Sequence, residues 1–359
     1  MTAGAKPLRA AESVSRAAVA GAGPVIRAAV IGAGHLGRIH ARIYAETPGV
    51  KLVAVVDPRE DRAGAIAERY EARASARPDD LPGDVDVVSV ATPTSTHAAT
   101  AIPLLRRGIA VLVEKPIAAT LEDADALLDA ARAGGAMLSV GHSERFNPGV
   151  SAIREMRIRP RFVEAHRLAP FSFRSQDVGV VLDLMVHDLD LLLHLVDPEI
   201  VSVDAAGGSV LTDREDLANA RLRFRNGCIA NVTASRVSLE PLRRMRFFSP
   251  DSYVSVDFGK RYAIAVRKGP KFDAERGRLS QLDPEHLPDP RSFVFGGLLD
   301  VREERLSREE EPLRLELEAF VRAVRGEAPN FCSGEEGRRA LAAAIRVQTE
   351  LERAPWRAA

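Results

Sequence analysis

The chain has 359 residues, 46% of them hydrophobic and 28% charged, with 50 basic side chains balancing 50 acidic ones. That composition excludes a disordered or collagenous chain. Zero formal net charge provides no long-range attraction to nucleic acid or an anionic membrane. No stretch approaches the roughly 18 uninterrupted apolar residues of a membrane span.

The length predicts two domains, each able to bury its own core. Cys228 and Cys332 form neither a metal-ligand spacing nor a disulfide framework, which points to a reducing, cytosolic setting. The basic residues divide into 6 Lys and 44 Arg, so each lysine asks for a reason.

Residues 1–24 are rich in Ala, Gly and Ser and lack the apolar run of a secretory signal; they are expected to be a disordered extension. From residue 25 to 147 short β-branched runs alternate with helical patterns: strands at 25–31, 51–56, 85–90, 110–113 and 137–141, helices at 35–46, 59–70, 97–107 and 121–133. Strands that read as unbroken apolar runs between helices imply a parallel sheet buried on both faces, hence a doubly wound α/β domain.

After Asn147-Pro148 the pattern changes. A helix at 150–156, a strand at 162–168 and a strongly apolar helix at 180–196 are followed by strands at 200–203, 218–225, 228–237, 243–248, 253–257 and 262–267. Asn226-Gly227 between two alternating runs is a hairpin signal. Residues 148–359 are therefore expected to form an α+β domain with a large, mostly antiparallel open sheet, closed by helices at 313–325 and 335–352; residues 272–311 resist assignment.

Gly32-Ala33-Gly34-His35-Leu36-Gly37 follows the first strand and opens the first helix, the context that a G-x-G-x-x-G turn requires. Gly32 permits the tight turn, Gly34 lets a pyrophosphate approach the backbone, and Gly37 lets helix and strand pack closely. Free N–H groups at the helix start, from His35 and Leu36 onward, would meet the phosphates. Asp57, 20 residues beyond Gly37 at the end of the second strand, is placed to accept hydrogen bonds from a ribose diol and to repel a 2′-phosphate, which favours NAD.

Thr92-Pro93 with His97, and Glu114-Lys115-Pro116, lie at carboxyl ends of parallel strands, where open α/β sheets bind ligands. They complete the expected cofactor site, with simple wall packing the alternative for His97 at the start of its helix. A lysine here donates as a compact point charge or shifts its pKa, as arginine cannot; the alternative is a solvated ammonium in a Lys-Pro turn. On the helix from residue 180, Asp183, His187, Asp190 and His194 fall within roughly 60° of arc at 100° per residue. A narrow polar stripe on an apolar helix faces solvent, a metal or a reacting group. No further ligand cluster accompanies Asp183 and His187, and the reading preferred is an acid–base pair in which Asp183 orients His187.

These motifs together resemble the Gfo/Idh/MocA oxidoreductase family over residues 26–352. The resemblance implies Lys115, Asp183 and His187 as the catalytic set, NAD as cofactor, and a homodimer or homotetramer assembled through the second sheet. More narrowly, Gly141-His142-Ser143-Glu144-Arg145-Phe146-Asn147-Pro148, Glu164-Ala165-His166-Arg167-Leu168-Ala169-Pro170 and Asn231-Val232-Thr233-Ala234-Ser235-Arg236 resemble the branch of UDP-N-acetylglucosamine 3-dehydrogenases. That branch makes a 3-keto sugar nucleotide, a lipid A precursor, for an aminotransferase. Related members acting on inositol or free sugars share the catalytic set, and some relatives are non-catalytic regulators. Many members carry Asn where this chain has Thr94, so that contact is not carried over. His142, Arg145, Arg167 and Arg236 join Lys115, Asp183 and His187 as expected substrate-binding residues, the arginines because guanidinium groups read phosphate bidentately.

Overall fold

The computed structural model describes residues 24–172, 178–269, 271–276, 294, 298–306, 310–353 and 356. The expected extension, apart from Pro24, lies outside them.

Strands β1 (Ile26–Ile31), β2 (Val50–Val56), β3 (Arg73–Ser75), β4 (Val87–Val90), β5 (Ala110–Glu114) and β6 (Leu138–Gly141) form one parallel sheet in the order β3-β2-β1-β4-β5-β6. Every residue of β4, β5 and β6 is buried, as expected of a sheet covered on both faces. Helices α1 (His35–Glu46), α2 (Glu60–Arg69), α3 (His97–Arg106) and α4 (Leu121–Gly134) make the crossovers. Thr120 caps α4 by accepting from the Asp123 N–H at 3.1 Å, and Gly135, left-handed at φ 60°, ends it. Strand order reverses between β1 and β4, which opens a crevice beyond their carboxyl ends. Only the three-residue β3 escaped the sequence pattern; it is too short to show alternation.

The second sheet runs β14-β13-β12-β11-β7-β10-β9-β8. Its strands are β7 (Phe162–Leu168), β8 (Ile200–Gly208), β9 (Leu217–Phe224), β10 (Ile229–Ser235), β11 (Leu242–Phe248), β12 (Ser252–Asp257), β13 (Tyr262–Lys268) and β14 (Leu299–Arg305). All its pairings are antiparallel except β7 with β10. Strand β14 comes from the segment left unassigned, because its charged sequence shows no apolar alternation. Ala218, Ala220, Leu222 and Phe224 of β9 are buried while Asn219, Arg221 and Arg223 between them are exposed, so one face is core and the other open. The core face packs with α5 (Pro148–Glu155), α6 (Val186–Leu195) and α9 (Gly334–Arg353) in one apolar cluster. A single turn, α7 (Phe272–Glu275), precedes α8 (Pro312–Val324). Although α8 lies in the second half of the chain, its Leu317, Phe320 and Val321 pack with Ala28, Val30 and Tyr44 of the first unit.

The expected helix 180–196 is not uniform. Val181–Met185 form a π turn, with the Val186 N–H bonded to the Val181 carbonyl, and the α-helix begins only at Val186. A π turn inserts extra backbone and changes the angle between residues on either side.

The glycine turn separates what the chain needs from what a ligand would need. A Cβ on Gly37 would sit 1.7 Å from the Gly32 carbonyl oxygen, and one on Gly32, at φ +99°, would sit 2.4 Å from the Ala91 oxygen; at Gly34 nothing lies within 4 Å. Gly37→Ala should therefore cost about 1 to 3 kcal/mol of stability, read by thermal unfolding. Gly34→Ala should unfold as the parent does yet weaken NAD binding by about tenfold or more, some 1.4 kcal/mol, measured by titration. A Gly34→Ala protein that binds NAD normally would overturn the pyrophosphate assignment.

Candidate active site

At the start of α1, Gly34 offers no side-chain cap, so the first N–H groups are available to an anion. His35 and Leu36 are exposed there. Asp57 is buried, and accepts from the Ala33 N–H at 2.7 Å and the Arg59 N–H at 2.9 Å. It ties the second strand to the glycine turn and keeps carboxylate lone pairs for further donors. The Arg59 guanidinium turns to Asp61, leaving the carboxylate of Asp57 as the charge at the ribose position. The open space at Gly34, the uncapped helix start and this carboxylate fit a dinucleotide.

Thr92 and Pro93 follow β4 in a turn where the Thr96 hydroxyl donates to the Pro93 carbonyl at 2.8 Å. His97 departs from expectation. It is 1% exposed, with Nδ1 3.0 Å from the Pro116 carbonyl and Nε2 3.0 Å from the Thr92 carbonyl. It joins the two strand-end loops through these two carbonyls. Glu114 likewise points inward, 2.9 Å from His40 Nε2 and 3.2 Å from the Lys115 N–H. Burial alone would raise its pKa, but His40 and Lys115 hold it below the usual carboxylate range.

Lys115, first residue after β5, meets the π turn of the other unit. Its Nζ donates to the Asp183 carbonyl at 2.6 Å and lies 3.5 Å from the Asp183 carboxylate. Burial, joined by the charge of Arg167, lowers the Lys115 pKa from the ordinary lysine value, while Asp183 and Glu114 oppose the shift. His187 stands half-buried at the start of α6. Burial, then the charges of Lys115 and Arg167, pull its pKa well below the ordinary imidazole value, so the ring is neutral at pH 7 and able to accept a proton. The structure thus brings Lys115, Asp183 and His187 to one place. It corrects one relation among them: Asp183 pairs with Lys115 and makes no hydrogen bond to His187 among the described residues, because the π turn alters the angular offset assumed for a regular helix.

Three expected substrate residues prove to be engaged elsewhere. The Arg145 guanidinium grips Asp190 at 2.8 and 2.6 Å and reaches Glu336 and the Phe331 carbonyl at 2.9 Å. Arg167 grips Asp188 at 2.9 and 2.8 Å. Arg236 donates to the Val178 carbonyl at 2.5 Å and lies 3.6 Å from Asp216. All three are buried, so they position backbone and helix and are not available to a diphosphate. His142 is 1% exposed, and its ring stands edge-on to that of His187 with centroids 6.5 Å apart. The polar stripe is split as well: Asp183 and His187 reach the cleft, Asp190 serves Arg145, and His194 lies 3.9 Å from Glu336.

Sequence reasoning missed the partners that do this work, His40, Glu144, Asp188, Arg243 and Glu336, and also the buried Glu316. Each sits among many like residues, and no spacing marks it. Arg243 pairs with Glu144. Glu316 on α8 is fully buried, and neither carboxylate oxygen has a hydrogen-bond partner among the described residues. Burial, with Glu114 and Asp190 nearby, raises its pKa well above the usual value, Arg145 opposing. The folded chain then holds a proton that the unfolded chain releases, so this group makes stability fall as pH rises from its unfolded pKa toward its raised one. Glu316→Gln should raise stability at pH 8 by about 1 to 3 kcal/mol and flatten the decline between about pH 5 and pH 8, both measured by denaturant unfolding.

Two family models match this chain: the oxidoreductase family, NAD-binding Rossmann fold, of the GFO/IDH/MocA group over residues 26–142, and the GFO/IDH/MocA C-terminal domain over residues 152–249. The UDP-N-acetylglucosamine 3-dehydrogenase of Acidithiobacillus ferrooxidans is 39% identical over 321 residues, covering 89% of this chain and 95% of that protein. Its solved structure superposes with a TM-score of 0.79 over 91% of this chain and 98% of that one. The myo-inositol 2-dehydrogenase of Thermotoga maritima is 27% identical over 338 residues, 89% of this chain and 94% of that one. The WlbA dehydrogenase of Bordetella pertussis, solved with NADH and UDP-GlcNAcA, shares the fold at 20% identity and a TM-score of 0.75 over 92% and 96% of the two chains. No helix among the described residues is long and apolar enough to cross a membrane. With both units matched in order and an NAD-binding Rossmann sheet carrying the glycine turn, this chain belongs to the Gfo/Idh/MocA family of oxidoreductases.

Proposed function

We propose that this chain oxidises the 3-hydroxyl of UDP-N-acetylglucosamine to the 3-keto sugar nucleotide, with NAD as cofactor. The observation that carries the chemistry is Lys115 Nζ at 2.6 Å from Asp183, which joins the cofactor unit's strand end to the element bearing His187. The relative at 39% identity supports the substrate. The same proposal divides the chain near Asn147-Pro148 into a cofactor unit and a substrate unit.

NAD, held by the glycine turn and Asp57, supplies the hydride acceptor. Because His187 Nδ1 is buried, the substrate proton is taken at Nε2. Lys115 stabilises the alkoxide as charge develops on oxygen, and Asp183 holds that ammonium in place. With Arg145, Arg167 and Arg236 buried, the diphosphate falls to Arg243, which pairs with Glu144 but whose side chain is 36% exposed and whose charge reaches His187. The product is a ketone beside the acetamido carbon, a substrate for a coupled aminotransferase.

A homodimer through the open face of the second sheet belongs to this reading. Phe162, Phe248 and Tyr253 form an aromatic row on that face, with ring centroids 5.6 and 5.0 Å apart, beside half-buried His166, Arg244 and Arg246. Such an apolar patch with a polar rim is built for association. Phe248→Glu should convert the oligomer to monomer in light scattering; a parent protein that is already monomeric would refute the interface.

The activity is tested by mixing enzyme, NAD and UDP-N-acetylglucosamine and following NADH, with an aminotransferase and glutamate present to trap the ketone as a 3-amino sugar identified by NMR. His187→Ala should lower kcat by about 100- to 10,000-fold with NAD affinity retained. In the parent, kcat/KM for oxidation should rise with pH and level off, its acid limb lying below pH 6.5 as the imidazole loses its proton. An amine at carbon 4, or equal turnover of free myo-inositol, would overturn the substrate and leave the dehydrogenase.

A further inference from the structure

His142 follows β6 at the floor of the site, and nothing in the mechanism above uses it. Its ring is 1% exposed, and neither nitrogen has a hydrogen-bond partner among the described residues. Leaving such polar atoms without partners costs free energy, so a residue retained merely to fill space would be better apolar. Two neighbours give the ring a direction. Its Nδ1 lies 3.7 Å from the Asp190 carboxylate, and its plane stands edge-on to the His187 ring, 88° apart with centroids at 6.5 Å. The buried Nδ1 of His187 also has no partner.

The need appears when His187 takes the substrate proton at Nε2. The ring then carries a positive charge and an N–H at each nitrogen, and the inner N–H has no acceptor in its present surroundings. An unpartnered charged donor in a buried place opposes the step. Asp183 does not relieve it, because Asp183 pairs with Lys115.

Resting on the base role given to His187, we propose that His142 is its positioning residue: neutral His142, donating from Nδ1 to Asp190, accepts the inner N–H of the His187 imidazolium at Nε2, directly or through one water. Every proton is accounted for. The substrate hydroxyl proton moves to His187 Nε2, the Nδ1 protons of both histidines stay where they are, and only hydrogen bonds shorten. Arg145 holds both oxygens of Asp190. The other charged groups facing His142 are Lys115, Glu114 and Arg145, and those facing His187 are Lys115, Arg167 and Arg243. Burial, the largest influence on His142, disfavours its charged form, as a neutral acceptor requires. The thiol of Cys332 sits in the same pocket, with ligand-type atoms of Cys332, His142 and Asp190 within 4.8 Å of one another.

The test compares His142→Phe and His142→Met, which remove both nitrogens, with His142→Gln, whose amide can donate to Asp190 and accept from His187. The nitrogen-free variants should lower the kcat plateau by about 10- to 100-fold, less than loss of the base itself, and move the acid limb of kcat/KM to lower pH by about one unit. NAD affinity and thermal midpoint should stay near the parent's, and His142→Gln should recover most of the rate. Phe and Met variants with the parent's plateau and pH limb would overturn the proposal, as would a rate loss with an unmoved limb, which is the mark of a merely structural ring. A flat parent profile, or full activity in His187→Ala, would remove the base reading itself. Tightly bound zinc or another divalent metal in the purified protein, required for activity, would assign the pocket to metal binding and overturn the relay.

Discussion

Helix α6 is anchored by two buried carboxylates, each gripped by one guanidinium, and the placement of His187 depends on that anchoring. Asp188 is held by Arg167 from β7 of the second sheet, and Asp190 by Arg145 from the turn after β6 of the first. One helix is thereby fixed to both sheets, from two sides, with the bidentate geometry that guanidinium and carboxylate share. Removing one partner of such a buried pair leaves a lone charge and costs about 3 to 5 kcal/mol. The pairs therefore contribute orientation more than net stability, and they account for arginines in motifs that look like phosphate ligands.

The same anchoring explains the electrostatics of the site. Lys115, Arg167 and Arg243 all lower the proton affinity of His187, yet all three cations are themselves paired, Lys115 with Asp183, Arg167 with Asp188 and Glu144, and Arg243 with Glu144. The histidine thus stays neutral beside cations that each have a carboxylate partner. The π turn contributes the remaining geometry. It presents the Asp183 carbonyl to Lys115 where a regular helix would direct that carbonyl to its own next turn.

The doubly wound sheet was legible because alternation of apolar runs and amphipathic helices is a local property, and all of its strands but β3 follow it. The second sheet was legible wherever one face is core, as on β9, and failed on β14, where Asp300, Arg302, Glu303 and Arg305 mask the alternation. Among site residues, the glycine turn, Asp57, Lys115, Asp183 and His187 could be read because strand ends and helix positions identify them. What could not be read was pairing. Whether Arg145 meets a phosphate or Asp190, and whether Asp183 meets His187 or Lys115, depends on contacts 45 and 68 residues apart in sequence and on a π turn that no composition signals.

The chain's preference for arginine sharpens the case for its one central lysine. With 44 Arg to 6 Lys, the protein uses guanidinium where a charge must be permanent, planar and shared between two oxygens, as at Asp188 and Asp190. At position 115 the requirement is different. For the role proposed, the cation must be compact enough to approach one developing oxygen, and its proton affinity must respond to burial, as that of Lys115 does. An arginine there would keep its charge and lose the single-point geometry, and its fork would match the Asp183 carboxylate too well to leave a donor for substrate. The distribution of the two residue types thus separates the groups that build the site from the one proposed to act on substrate in it.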